Sequence, residues 1–125
     1  MAEQNATAAR IARAYGEAMS NKDVDAIMKL AADDVVCISP IGKTTGAAAF
    51  HGFQEGFARM IKKLDIRAAF GDETQAVLVY AVETHPVPHS LVAELIQVKD
   101  GKIASTEVIY DATPYAAYMS TVQPH

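Results

Sequence analysis

Leu91-Val92-Ala93-Glu94-Leu95-Ile96-Gln97-Val98 reads as a β-strand from its apolar, β-branched content, with a single acid in its middle. Three similar runs surround it: Leu64 to Phe70, Ala76 to Thr84 and Ile103 to Tyr110, joined by short turn signals. Ala76-Val77-Leu78-Val79-Tyr80-Ala81-Val82 is apolar at odd and even positions alike, so both of its faces need cover. A layer of helices supplies one cover, and a second subunit is expected to supply the other.

The helices lie upstream. From Ala6 to Met19, residues Ala8, Ile11, Ala12, Tyr15, Ala18 and Met19 recur at helical spacing while Arg10, Arg13 and Glu17 take the other side. Asn21-Lys22-Asp23 breaks this helix, and Asp23 can cap a second one with Val24, Ile27, Met28 and Ala31 as its stripe; Asp33-Asp34 then ends that helix and its loop. Val35 to Ser39 is β-prone and stops at Pro40, and Ile41-Gly42-Lys43 reads as a loop. A third helix runs from about Thr45-Gly46 to Lys63, with Phe50, Phe53, Phe57, Met60 and Ile61 on one face. Helices first and strands afterwards give an α+β domain with N-terminal helices packed on an antiparallel sheet.

The chain of 125 residues suits one domain spanning residues 1–125, and its 50% hydrophobic and 21% charged composition is that of a globular protein. No apolar run approaches the roughly 20 residues needed to cross a bilayer. The start Met1-Ala2-Glu3-Gln4-Asn5 lacks the basic and apolar regions of a signal peptide, so a cytoplasmic location is expected. A net charge of -4 without a basic cluster argues against nucleic acid or an anionic membrane as partner. The single cysteine, Cys37, excludes an intrachain disulfide and any paired-cysteine metal motif. Nothing in the sequence implies a cofactor or a metal.

Glu94 carries the strongest chemical signal. An ionised carboxylate in such a strand loses hydration with no evident cationic neighbour in sequence, so its pKa is expected to rise and a proton to be retained near neutrality. The bland reading is a mid-strand acid at a wet rim or an interface, paired with Arg67 or a helix arginine. The hairpin Val98-Lys99-Asp100-Gly101-Lys102-Ile103 offers two registers. A two-residue loop sets Glu94 opposite Glu107, an unfavourable like-charge pair. A three-residue loop instead pairs Glu94 with Thr106 and Val92 with Val108, which makes Thr106, Val108 and Tyr110 neighbours of Glu94 on one face. That second register is the expected one. Cys37 and Ser39 share a face of their own strand.

The histidines are weaker signals. His51 shares a helix side with Glu55 and reads as solvated; His85 and His89 flank Pro86-Val87-Pro88 in a strand connection; His125 reads as an untethered terminal residue.

The set Tyr15, Asp23, Asp33-Asp34, Ser39-Pro40-Ile41-Gly42, Gly46, Asp100-Gly101-Lys102-Ile103 and Tyr110-Asp111 resembles the nuclear transport factor two-like superfamily, in its ketosteroid-isomerase-like and SnoaL-like branch. The likeness covers about residues 6 to 115. It implies a cone-shaped α+β domain, usually dimeric, with a curved sheet wrapped around a helix pair and an apolar pocket inside the cone; the two-faced strand Ala76 to Val82 places the expected homodimer contact on the outer face of the sheet. By the same resemblance Tyr15 and Glu94 match the two proton donors that polarise the substrate oxygen in ketosteroid isomerases, with Glu94 in the role of an acid kept neutral by an apolar site so that it can donate a hydrogen bond. Ser39 falls where those isomerases carry their aspartate base. That departure leaves the proton-moving group unassigned, since a serine hydroxyl has no useful basicity unless activated. Ser39, Cys37, Thr106, Val108 and Tyr110 are then expected to line a site for a hydrophobic small molecule, with Asp111 and Asp34 as alternative bases. Enolisation of a carbonyl compound, a SnoaL-like cyclase or epoxide hydrolase chemistry, and a non-catalytic binding or dimerisation module all remain open at this point.

Overall fold

The computed structural model describes residues 6–115. Helix α1 spans Thr7–Ser20 and buries Ala8, Ala12, Tyr15, Ala18 and Met19, the stripe expected from its spacing. Helix α2, Val24–Leu30, starts at Asp23, whose carboxylate accepts from the Ala26 N–H at 3.1 Å and so satisfies one of the free donors of the first turn. Six strands follow or interleave: β1 Ala31–Ser39, β2 Gly42–Thr45, β3 Ile61–Gly71, β4 Gln75–Thr84, β5 Ser90–Lys99 and β6 Lys102–Ile109, with helix α3, Ala47–Met60, between β2 and β3. They form one curved, open sheet in the order β2-β1-β6-β5-β4-β3, antiparallel throughout except for the β1–β6 pair. The helices lie on its inner face, α1 against β3 and β4, α3 against β1.

Four local expectations are corrected. Asp33 and Asp34 belong to β1, which begins immediately at Ala31, because pairing of Ala31 with Ile103 takes the chain straight from α2 into the sheet. Gly42 to Thr45 is a strand and not a loop: it pairs back on β1, Ser39 opposite Gly42 and Val36 opposite Thr45. Helix α3 stops at Met60, and Ile61 to Lys63 pair with β4.

The fourth concerns the β5–β6 register. The loop has two residues, Lys99 facing Lys102, with Asp100 at φ 52° and Gly101 at φ 75°, the doubly positive pair of a tight hairpin turn. A bulge then inserts Ala104 between the Val98–Ile103 and Gln97–Ser105 pairs, so that Glu94 faces Val108 and Ile96 faces Thr106. The faces come out as expected although the pairs do not: the bulge moves the register by one residue, which restores Thr106 and Val108 to the side of Glu94 and sends Glu107 to the other.

The outer face of the sheet is different in kind. Phe70 on β3, Leu91 on β5 and Ile109 on β6 are 70%, 64% and 55% exposed, and Val77, Val79, Ala93 and Leu95 lie between them in register. The loop from β4 to β5 turns through Pro86-Val87-Pro88, with the Thr84 hydroxyl donating to the Val87 carbonyl and accepting from its N–H. Among the described residues no helix is long and apolar enough to cross a membrane. The reading of His125 lies outside the described residues.

Candidate functional site

Tyr15 reaches the inner face from α1, Tyr80 from β4, Glu94 from β5, Thr106 from β6 and Gln54 from α3, and all five side chains are buried. Alternation puts Tyr80, Glu94 and Thr106 on the inner face of three adjacent strands, and Tyr15 lies on the apolar stripe that presses α1 against them. The Glu94 carboxylate is the centre. Its Oε1 accepts from the Tyr15 hydroxyl at 2.9 Å and from Thr106 Oγ1 at 2.7 Å, and its Oε2 accepts from the Tyr80 hydroxyl at 2.6 Å. Tyr15 in turn accepts from Gln54 Nε2 at 3.0 Å, while Gln54 Oε1 is buried with no hydrogen-bond partner among the described residues.

The electrostatics follow from burial. Loss of water pushes the Glu94 carboxyl above its ordinary value, against the opposing pull of the hydroxyls of Tyr80, Thr106 and Tyr15, which favour the ionised form. The same burial, reinforced by the adjacent carboxylate, pushes both phenols well above their usual range. Cys37 on β1 is buried beside the cluster, and burial followed by the charge of Glu94 holds its thiol at about 12, so it is a protonated filler and not a nucleophile.

The cluster forms the polar wall of a cavity of about 350 Å³. Met19 of α1, Phe53, Phe57 and Met60 of α3, and Val92 and Val108 of the sheet supply apolar walls, and Gly52 and Gly56 leave room along α3. Tyr110 and Tyr115 lie edge to face on its border, 5.3 Å apart at 84°, and the exposed Ile41 of the β1–β2 turn borders it too. This volume is in the range that takes a small ligand.

Of the residues singled out in the sequence, Tyr15, Glu94, Val108 and Tyr110 line the cavity, and Thr106 holds Glu94 from behind it. Ser39 does not line it: its hydroxyl donates to the Gly42 carbonyl at 3.4 Å and accepts from the Ile41 N–H at 3.3 Å, because the hairpin that the sequence hid ends there and uses the group as a turn tie. Asp34 is exposed on β1, and Asp111 is exposed with its carboxylate accepting from the Thr113 N–H, which holds it below the usual range. Glu94 is therefore the one carboxyl lining the cavity among the described residues. No cationic side chain lines it either, and Arg67 borders a separate groove at the other side of the sheet. His51 pairs with Glu55 at 3.2 Å on the exposed side of α3, His85 and His89 are exposed, and no group of acids, histidines and cysteine among the described residues is arranged to hold a metal.

Tyr80 and Gln54 escaped the sequence reading. Tyr80 was hidden in a run without alternation, where phenol and valine look equally apolar. Gln54 follows Phe50 by four residues and sits between Phe53 and Phe57, on the stripe and not off it; a lone amide at that spacing is the signal that would have found it.

Residues 12–106 match the model of the SnoaL-like domain family. A crystal structure of a Kribbella flavida protein is 39% identical in sequence, with 90% of this chain and 93% of that one covered and a TM-score of 0.84. A Mycobacterium tuberculosis epoxide hydrolase of the LEH-like type superimposes with a TM-score of 0.73 at 17% identity, covering 94% of this chain and 92% of that one. A second Kribbella flavida structure, named as a candidate ketosteroid isomerase, gives 0.75 at 17% identity over 84% of this chain and 78% of that one. These last two share the fold. No curated protein is significantly similar in sequence.

Proposed function

We propose that this chain, which belongs to the SnoaL-like domain family of nuclear transport factor two-like folds, binds an apolar small molecule by a single oxygen held at the Glu94 cluster. The observation that carries this reading is the pairing of a buried carboxyl and two buried phenols with an otherwise apolar cavity. Burying Glu94 without a cation is costly, and three hydroxyl donors only partly offset that cost. An acid maintained at such expense on the wall of a cavity is a group that a ligand meets. The catalytic form of this reading is enolisation of a carbonyl compound, with Tyr15 and Glu94 polarising the oxygen. What it lacks is a proton-moving partner, since Ser39 serves a turn and neither Asp34 nor Asp111 lines the cavity. That gap favours, as the second reading, binding without turnover. The names of structural neighbours, which include an epoxide hydrolase and candidate isomerase and cyclase proteins, keep the fold compatible with several chemistries.

Planar phenols and enones titrated against the protein, followed by ligand fluorescence or absorbance, test the pocket, and a β,γ-unsaturated ketone tests turnover. Binding with little or no isomerisation is the expected result. Brisk isomerisation by the wild-type chain means that another group moves the proton. Absence of binding at every pH removes the pocket reading.

The outer face of the sheet belongs to the same proposal. Its apolar residues from Phe70 to Ile109 fit a second copy of the chain laid sheet to sheet.

A further inference from the structure

The hydrogen atoms around Glu94 can be counted, and the count restricts what the cavity can hold. Tyr15, Thr106 and Tyr80 each carry one hydroxyl proton, and all three hydroxyls lie within hydrogen-bond reach of the carboxylate. With Glu94 ionised the three protons are spent inward. What remains for a ligand is acceptor capacity: the second lone pair of Glu94 Oε2 and the lone pairs of Tyr80, while Oε1 already accepts twice and Tyr15 accepts from Gln54. A hydroxyl, phenol or enol can donate there. A ketone whose oxygen sits at the cluster finds no donor there.

A proton on Glu94 reverses the chain. Glu94 then donates to Tyr15, whose hydroxyl proton needs a new acceptor, and Gln54 supplies it by turning its amide so that Oε1, the one cluster atom left without a partner, faces the phenol. Tyr80, released from a full negative charge, can aim its proton at a ligand carbonyl. The three hydroxyls and the carboxyl keep a partner in both directions, and what changes is which end of the Gln54 amide meets Tyr15: Nε2 with the carboxylate, Oε1 with the acid. The groups facing Glu94 from the surrounding elements are Tyr15 of α1, Tyr80 of β4, Cys37 of β1 and the neutral Gln54 and Thr106; both phenols and the thiol are held protonated, so the carboxyl is the group in this set that exchanges a proton over the ordinary pH range.

We propose that the cavity distinguishes its ligands by hydrogen-bond polarity: a hydroxyl-bearing ligand binds with the Glu94 carboxylate and no proton uptake, a carbonyl ligand binds with one proton taken from solvent, and Gln54 is the positioning residue whose amide turn permits the second state. This rests on the pocket reading above and names the ligand classes that pocket takes. No covalent bond changes; one proton moves from buffer to Glu94 when a ketone enters and returns when it leaves.

The experiment is calorimetric titration of the intact chain with 2-naphthol and with a naphthyl ketone of matched size, between pH 5 and 9, in two buffers of different ionisation enthalpy. The ketone should take up close to one proton at pH values where Glu94 is ionised in the free protein, and its affinity should fall about tenfold per pH unit there. The naphthol should take up none and keep its affinity until its own phenol titrates. Gln54→Met should weaken the ketone more than the naphthol and flatten the pH profile of the ketone alone, a split that a general loss of packing would not produce. Equal proton uptake and parallel pH profiles for the two ligands in wild type would overturn the inference while the pocket reading stood. Failure of both ligands to bind at any pH would overturn both.

Discussion

The two faces of the same sheet follow opposite rules. On strands β4, β5 and β6 the inner positions carry Tyr80, Glu94 and Thr106, polar groups sealed from water and bonded to one another, while the positions beside them carry Val79, Ala93, Leu95 and Ile109, apolar groups turned outward. Folding by hydrophobic burial alone would have exchanged these sets. A buried carboxyl and an uncovered apolar face each cost something, and in the function proposed above each is a surface that meets another molecule: a small ligand inside, a second copy outside.

The faces should differ most at the inner apolar wall. Leu78 is fully buried and faces Glu94 directly across the β4–β5 ladder. Leu78→Ala should lower stability by about 2 to 5 kcal/mol, through lost transfer energy and the cavity left behind; denaturant melts check it. The same truncation at Leu91, 64% exposed on the outer face, should cost under about 0.5 kcal/mol in the isolated chain. Equal losses at both positions would mean that the outer face is packed against something even at low concentration.

Removing one donor sharpens the inner side. Tyr80→Phe deletes the 2.6 Å hydrogen bond to Glu94 Oε2 and leaves the ring in place. A bond to a charged group is worth about 1.5 to 3 kcal/mol where Glu94 is ionised, so the loss should be larger at high pH and shrink once the carboxyl is protonated. A pH-independent loss would mean that Glu94 keeps one protonation state throughout the range measured.

Next comes the pH dependence of stability. The Glu94 carboxyl is raised in the folded chain above its ordinary value of 4.5, so the native state binds this proton more tightly than the unfolded state. The associated stability is fully present below the unfolded value and is lost as pH rises toward the folded one, at up to about 1.4 kcal/mol per pH unit, after which it is flat. Asp72 and Asp111, both lowered, act in the opposite sense: their smaller contributions are present above the unfolded value and disappear as pH falls. Melts of wild type and Glu94→Gln across pH 4 to 9 should therefore diverge in favour of the variant as pH rises. Parallel curves would return Glu94 to the role of an unshifted rim acid.

The smallest change in the folded chain is on the outer side. Ala93→Lys sets a charge in the middle of the apolar patch, between Val79 and Ile109; the monomer should fold with a shift of about 1 kcal/mol or less, and a dimer seen by sedimentation at micromolar concentration should dissociate. A wild-type chain that sediments as a monomer at every concentration would leave the outer face without its proposed partner.

How much of this was readable in the chain depends on the range of the interaction. The α1 stripe, the Asp23 cap and the four long strands were legible because each rests on spacing within one element, and Glu94 stood out because an acid in an apolar strand conflicts with its surroundings. The β2 strand was illegible: Gly42-Lys43-Thr44-Thr45 has no apolar pattern and is a strand only because β1 pairs with it. Occupying Ser39 in that same turn is what took its hydroxyl away from the cavity. The β5–β6 register depended on a bulge at Ala104, and nothing local to that residue announces it.

Composition and periodicity thus determined an α+β layering and singled out one anomalous acid, since local preference and burial patterns act along a few residues at a time. Only the tertiary structure decided which groups meet that acid. Tyr15, Gln54, Tyr80 and Thr106 come from four different elements, 79 residues separate Tyr15 from Glu94, and the hydrogen bonds that join them exist only once helix and sheet have excluded the water that would otherwise have satisfied each group alone.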